Sequence, residues 1–152
     1  MKRILFVCLG NICRSPMAEA VMRELLRKEG LDGQFTVASA AVSDEEWSNP
    51  IYPPAARVLR EHNVPYDPVR KARKMSADDY DRSDLIVGMD ENNLRAIRRI
   101  AGGDPDGKIH LLMDFAGEHR AVADPWYTRD FETAYNDIVS GCTALCRHIK
   151  AQ

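Results

Sequence analysis

The sequence predicts an α/β fold, a single domain in which a four-stranded parallel sheet carries helices on both faces. Four short β-prone apolar runs alternate along the chain with stretches whose apolar residues recur at helical spacing. This alternation is typical of βαβ units, whose right-handed crossovers make neighbouring strands parallel. The 152 residues, of which 45% are hydrophobic, suit one globular core, so we assign residues 1–152 to one domain.

The first half of the chain opens with a strand and a helix. Residues 4–7 form a continuous apolar run, as expected for a strand buried on both faces. Ser15 as the cap and Pro16 as the first helical residue predict the start of a helix, and Gly30 predicts its end. The elements predicted after it are a strand at 35–38, a loop at 48–54 and a helix at 55–62.

The second half continues the alternation of strands and helices. Residues 84–89 and 108–113 are β-prone and apolar, which predicts two more buried strands. Residues 92–100 predict a helix between them. A long loop at 114–128 and an amphipathic helix at 131–149 complete the predicted chain.

Composition excludes several classes of function. The net charge of −2 and the pI near 6.1 argue against a nucleic-acid partner. The apolar runs are too short to span a bilayer, and the one at the N-terminus is too short for a signal peptide. We therefore expect a cytoplasmic protein with no membrane partner, whose four cysteines are thiols.

The loop after the first strand carries the chemistry. In a parallel sheet, ligands bind at the carboxyl ends of the strands, where Cys8 lies. A loop between a strand and a helix N-terminus points its N–H groups inward and forms an anion nest. Gly10 allows the backbone angles such a loop needs, and the planar guanidinium of Arg14 can hold two phosphate oxygens.

The same positive field favours ionisation of Cys8 to the thiolate, which is the nucleophilic form of the side chain. A thiolate in a phosphate-binding loop predicts phosphoryl transfer with a covalent intermediate. Two alternatives remain on the residues alone: an inert buried thiol, or a zinc site shared with Cys13. Zinc ligand pairs are usually closer in sequence, and no second pair follows, so we expect no metal.

Long motifs make the chain resemble the low-molecular-weight protein tyrosine phosphatases. The resemblance covers nearly the whole chain and implies a parallel four-stranded sheet, no cofactor, a phosphotyrosine-containing protein substrate and a cysteinyl-phosphate intermediate. It also implies that the phosphate-binding residues are Leu9, Gly10, Asn11, Ile12, Cys13, Arg14 and Ser15. The motifs are VCLGNICRSPMAEA (7–20), SAAVSD (39–44), KAR (71–73), MDENNL (89–94) and ADPWY (123–127).

A leaving phenolate needs a proton donor, and Asp124 is the candidate. Trp126 and Tyr127 would surround its carboxyl with apolar groups and favour the protonated acid. An acidic residue before proline is also common in turns, and the residues alone leave the choice open. The resemblance assigns Asp124 as general acid, beside Cys8 and Arg14 as the other catalytic residues.

The resemblance also implies a network of supporting residues. Asn11, Ser15 and Ser39 match positions whose hydrogen bonds hold the phosphate loop. Arg70 stands where the family often has a histidine. Cys13 is interpreted either as a small buried residue or, as the family implies, as a thiol that traps oxidised Cys8 in a disulfide.

Aromatic residues are expected to form the walls of a substrate pocket. Trp126 and Tyr127 predict one wall, and Trp47 predicts the other or else packs against the protein surface. In many relatives the tryptophan lies two residues earlier than Trp47. Exposed Trp126 and Tyr127 would also support weak self-association of an otherwise monomeric protein.

Three other functions compete with this prediction. A thioredoxin-coupled arsenate reductase would need two further mid-chain cysteines, and residues 80–110 contain none. A protein arginine phosphatase typically has threonine at the position of Ile12, and the isoleucine favours phosphotyrosine. A phosphopeptide-binding module would bind without turnover, and the presence of both Arg14 and Asp124 argues against it.

Overall fold

The computed structural model describes residues 1–152 and contains one parallel sheet of four strands in the order β2-β1-β3-β4. All three strand pairs are parallel. The predicted α/β fold is therefore confirmed. The strands are β1 (Lys2–Cys8), β2 (Phe35–Ala41), β3 (Leu85–Gly88) and β4 (Ile109–Leu111).

Six helices surround the sheet. Side chains alternate along β1, so Ile4 and Phe6 face one core cluster and Leu5 and Val7 face another. The first cluster packs beneath α1, α2 and α6, and the second beneath α3 and α4. The helices are α1 (Arg14–Lys28), α2 (Pro53–Glu61), α3 (Ala77–Arg82), α4 (Glu91–Ala101), α5 (Pro125–Thr128) and α6 (Phe131–Lys150).

The structure differs from the sequence-based boundaries in the short elements. Helix α3 was not predicted, because six residues are too few to show a helical period; a capping box between Ser76 and Asp79 stabilises its start. The predicted fourth strand ends early, because a 3₁₀ turn begins at Leu112. The predicted loop 114–128 contains the end of that turn and all of α5.

Helix α1 begins at Arg14, so the prediction that Ser15 caps it is wrong. Cys13 occupies the cap position without a side-chain hydrogen bond. The hydroxyl of Ser15 instead lies 3.0 Å from the sulfur of Cys8. The register of the sheet brings Cys8, the last residue of β1, beside Ala41, the last residue of β2. The carboxyl ends of the two strands thus meet the N-terminus of α1 at one edge. None of the helices combines the length and apolar character needed to cross a bilayer.

Candidate active site

A cleft opens at this edge of the sheet, and the loop between β1 and α1 forms its floor. Leu9, Gly10, Ile12, Cys13 and Arg14 line the floor together with Cys8. The backbone N–H groups of Leu9, Gly10, Ile12 and Cys13 make no hydrogen bond to any protein acceptor. Free donors at a helix N-terminus attract an anion. The floor of the cleft is therefore built to hold a group such as phosphate.

The sulfur of Cys8 receives two polar contacts inside this loop. The N–H of Asn11 donates to it over 3.3 Å, and the hydroxyl of Ser15 lies 3.0 Å away. The N-terminus of α1 adds its partial positive charge at the same end of the loop. Cys8 thus lies on the floor of the cleft, beside the free N–H groups of the loop.

The side chain of Asn11 holds the loop from behind. Its backbone is left-handed, with φ at 59°, and its side chain is fully buried. Its amide nitrogen donates to the hydroxyls of Ser15 (2.8 Å) and Ser39 (3.0 Å). Ser39 in turn donates to Glu19 over 2.6 Å. Asn11 and Ser15 therefore support the floor of the cleft from beneath and do not line it.

Arg70 completes this network from the other side. Its guanidinium donates to the backbone oxygen of Asn11 over 3.0 Å and also to the side-chain oxygen of Asn11. The backbone N–H of Arg73 donates to the same side-chain oxygen over 3.2 Å. Burial lowers the pKa of Arg70, while the nearby Glu19 and Cys8 oppose that shift. Arg70 thus makes hydrogen bonds to the phosphate loop from a position where the family often has a histidine.

Arg14 is buried and oriented by three acceptors. Its Nη1 donates to Asp90 (2.9 Å) and to the carbonyl of Val122 (2.8 Å), and its Nη2 lies 3.4 Å from Asp124. No protein acceptor takes Nε, so the Nε–Nη2 edge is the one open to two oxygens of an anion. Because Nη1 donates to two fixed acceptors, the plane of the guanidinium is fixed as well.

Asp124 lies at the N-terminus of α5, beside Arg14. One carboxyl oxygen accepts the N–H of Trp126 over 3.0 Å and caps the helix, and the other faces Arg14. Asp124 lines the cleft with Trp126 and Tyr127. The structure thus brings Cys8, Arg14 and Asp124 together in one cleft.

The wall predicted for Trp126 and Tyr127 is present, but the one predicted for Trp47 is not. Trp126 packs on Tyr52, with ring centroids 4.9 Å apart. Trp47 is 69% exposed and does not line the cleft. Its N–H closes a turn onto the carbonyl of Asp44, and this turn directs the two residues before it, Glu45 and Glu46, to the cleft.

Cys13 lies beside Cys8 with a different character. Burial, and then the nearby Cys8, raise the pKa of Cys13 to about 12. The Cys13 thiol is therefore neutral at pH 7. Both cysteines are free thiols, and the redox role of Cys13 remains a prediction.

Three features of the site escaped sequence reasoning. Asp90 caps α4, and its second oxygen also orients Arg14. The carbonyl of Val122 also accepts a hydrogen bond from Arg14. Its position is fixed because the N–H of Val122 donates to the carbonyl of Met89 over 2.9 Å. Both contacts join residues far apart in the sequence, so no local spacing predicts that they meet Arg14. The acidic pair Glu45–Glu46 was visible but was not connected to the cleft.

Comparisons with known proteins agree with this geometry. Residues 3–152 match the family model described as low molecular weight phosphotyrosine protein phosphatase. The chain is 38% identical over 154 residues to the low molecular weight protein-tyrosine-phosphatase YfkJ of Bacillus subtilis, covering 100% of this chain and 98% of the relative. It is 38% identical over 153 residues to low molecular weight phosphotyrosine protein phosphatase 2 of Drosophila melanogaster, covering 98% and 90%.

Solved structures show the same likeness. The crystal structure of YfkJ superposes with a TM-score of 0.95, at 38% identity, and covers 99% of this chain and 96% of that one. A Drosophila arginine phosphatase superposes with a TM-score of 0.89, at 30% identity, and covers 99% and 98%.

Proposed function

The chain belongs to the low molecular weight phosphotyrosine protein phosphatase family, and from this premise we propose which residues perform the hydrolysis. The protein is a protein-tyrosine phosphatase that acts through a cysteinyl-phosphate intermediate. Our proposal assigns Cys8 as nucleophile, Arg14 and the N–H groups of the loop as the phosphate site, and Asp124 as general acid and base. The observation that carries it is the sulfur of Cys8 within a ring of unpaired N–H groups.

In the first step, the phosphate dianion occupies the floor of the cleft and the open edge of Arg14. The Cys8 thiolate attacks phosphorus, and the bond from phosphorus to the tyrosine oxygen breaks. Protonated Asp124 donates its proton to that oxygen, so tyrosine leaves as a neutral phenol. Binding of phosphate to Nη2 takes the place of the Arg14–Asp124 contact, which leaves this carboxyl oxygen free to face the leaving group.

In the second step, the Asp124 carboxylate removes a proton from water as water attacks phosphorus. The bond from sulfur to phosphorus breaks, and inorganic phosphate is released. The hydroxyl of Ser15, at 3.0 Å, donates to the departing sulfur and stabilises the thiolate that forms. Arg14 holds the same oxygens through both steps, so its planar edge fits the transition state of each.

The test is hydrolysis of aryl phosphates and phosphotyrosine peptides without added metal. Cys8→Ser removes the nucleophile and should abolish turnover while the variant still binds the phosphate analogue tungstate. Cys146→Ser changes a buried thiol on α6, far along the chain from the loop, and serves as the matched control that retains activity. Turnover by Cys8→Ser at the wild-type rate, or loss of wild-type activity with a chelator, would contradict the assignment.

We extend the proposal to the setting of the enzyme. A phosphotyrosine-containing protein is the substrate, and neither nucleic acid nor a membrane is a partner. The nucleophile needs a reduced thiol, and all four cysteines are free, which supports a cytoplasmic location. Tyr127 is 74% exposed at the mouth of the cleft and supports weak self-association of a monomer.

A further inference from the structure

The cleft has one aromatic wall and one acidic wall. Trp126 and Tyr127 form the aromatic wall, and Glu45 and Glu46, from a separate segment of the chain, form the acidic wall. Two carboxylates thus lie in a cleft whose floor is built to hold an anion.

The backbone holds the acidic wall in place. The N–H of Val42 donates to the carbonyl of Cys8 over 3.0 Å, and that of Ser43 to the carbonyl of Leu9 over 3.1 Å. Glu46 packs over Gly10, since a Cβ added to that glycine would lie 3.3 Å from the Cγ of Glu46. The acidic wall is therefore attached directly to the phosphate loop.

The charges of this wall have no cation of the protein beside them. Neither Glu45 nor Glu46 forms an ion pair, whereas Asp124, the third acid of the cleft, lies against Arg14. Glu46 accepts only the neutral amide of Asn49, over 2.6 Å. Two unneutralised carboxylates repel a phosphate dianion on the floor, which weakens binding of any substrate that brings no positive charge.

We propose that this wall selects phosphotyrosine peptides that carry lysine or arginine beside the phosphotyrosine. The proposal rests on the phosphotyrosine phosphatase function above. With the phosphate on the floor and the ring against Trp126, the flanking residues lie at the mouth of the cleft, within reach of Glu45 and Glu46. A basic flanking side chain neutralises the wall, and an acidic one adds to the repulsion.

The experiment compares kcat/KM for three phosphotyrosine peptides that differ only in the two residues flanking the phosphotyrosine: arginine, alanine or glutamate. Wild type should prefer the arginine peptide over the glutamate peptide by about tenfold at low salt, as expected for two exposed charge pairs. The preference should shrink at high salt, because these charges are screened. In the double variant Glu45→Gln, Glu46→Gln it should fall to about twofold.

Asp44→Asn is the matched control, because Asp44 lies on the same turn, is exposed and does not line the cleft. This variant should keep the wild-type preference, which separates the acidic wall from a general effect of net charge. Equal kcat/KM for the three peptides, or a preference that survives in the double variant, would overturn the inference.

Two further results would overturn other parts of the proposal. Failure of wild type to hydrolyse any of the three peptides would overturn the phosphotyrosine function itself. A phosphoarginine peptide hydrolysed with higher kcat/KM than every phosphotyrosine peptide would overturn the substrate class proposed for the acidic wall, because the wall would then neutralise the guanidinium that carries the phosphate.

Discussion

At the scale of single residues, Asn11 holds the phosphate loop through hydrogen bonds to four other residues. Its left-handed backbone is uncommon for a residue other than glycine. Its oxygens are held by Arg70 and its nitrogen by Ser15 and Ser39. Because the N–H of Asn11 donates to the sulfur of Cys8, the hydrogen bonds from Arg70 to Asn11 also help to position Cys8, the proposed nucleophile. Arg70 is therefore a positioning residue.

Arg70→Ala removes the two guanidinium hydrogen bonds to Asn11 and leaves only that from the N–H of Arg73, and we expect kcat/KM for aryl phosphates to fall roughly tenfold. A hydrogen bond from a charged donor is worth about 1.5–3 kcal/mol, and the loop loses rigidity when it goes. Steady-state kinetics with phosphate as competitive inhibitor should show weaker phosphate binding as well. Arg70→Lys keeps one charged donor and should recover part of the loss.

The control for Arg70 is Lys71→Ala, which removes an exposed cation next to it without touching Asn11. Wild-type kcat/KM is expected for this variant. If Arg70→Ala lowers thermal stability but leaves kcat/KM and phosphate binding within twofold of wild type, Arg70 has only a structural role.

The four thiols should differ sharply in reactivity. Burial raises the pKa values of Cys13, Cys142 and Cys146, so these three are protonated and unreactive at pH 7. Cys8 alone has an N–H and a hydroxyl at its sulfur. Iodoacetate at pH 7 should therefore alkylate Cys8 first, as followed by peptide mass spectrometry, and phosphate should protect it.

Raising the pH toward 12 should increase the rate at Cys13, because its thiolate becomes populated as the pH approaches its raised pKa of about 12. Alkylation of Cys13 at the same rate as Cys8 at pH 7 would show that the two thiols share one environment, contrary to their contacts.

At the scale of elements, α5 places Asp124, the proposed general acid. Pro125 follows Asp124 and fits the first turn of a helix, and Asp124 caps that turn through the N–H of Trp126. Arg129 at the end of α5 donates to Tyr52 over 3.0 Å and lies over the ring of Trp126. A four-residue helix braced at both ends thus holds the carboxyl beside Arg14.

Asp124→Asn should slow substrates with poor leaving groups far more than those with good ones. Asparagine caps a helix as well as aspartate does, so α5 keeps its start while the proton donor is lost. A phenolate of low pKa leaves without a proton, whereas tyrosine, with a pKa of about 10, does not. The measurement is kcat/KM for aryl phosphates of graded leaving-group pKa.

Wild type should give a shallow dependence on leaving-group pKa and the Asp124→Asn variant a steep one. Parallel slopes for the two proteins would mean that Asp124 only positions Arg14 or α5. The proton donor would then have to be sought among Asp114, Glu118 and Tyr127.

At the scale of the whole molecule, α6 is packed closely on the segment that follows β4. A Cβ added to Gly141 would lie 2.5 Å from the Cγ of Leu112, which is fully buried. Leu112 starts the 3₁₀ turn that leads toward the general-acid loop. The glycine is therefore needed for the close approach of helix and turn.

Gly141→Ala should lower the free energy of unfolding by about 1–2 kcal/mol. Overpacking a core costs about 1–3 kcal/mol, and the better helix propensity of alanine returns about 1 kcal/mol or less. Urea unfolding followed by circular dichroism measures the change. In Gly33→Ala the new Cβ meets open space, so this control should match wild type. Equal stability of the two variants would mean that α6 shifts freely away from Leu112.

The sequence by itself determined the α/β class, the parallel sheet and the chemistry of the loop, because these depend on local patterns. Alternating periodicities mark the strands and long helices, and Cys8, Gly10 and Arg14 lie within seven residues of one another. The role proposed for Asp124 was predicted from the motif ADPWY through the resemblance to the family. The short helix α3 and the start of α1 were missed, because few residues carry the signal and capping contacts set the boundary.

Only the tertiary structure decided which distant residues meet at the cleft. Arg70 reaches Asn11 across 59 positions, and Asp90 reaches Arg14 across 76. Neither contact has a period or a fixed spacing, because sheet register and loop geometry produce them. The backbone turn at residues 44–47 likewise decides which side chain faces the cleft. Glu45 lines the cleft, whereas Trp47 points away from it and is exposed.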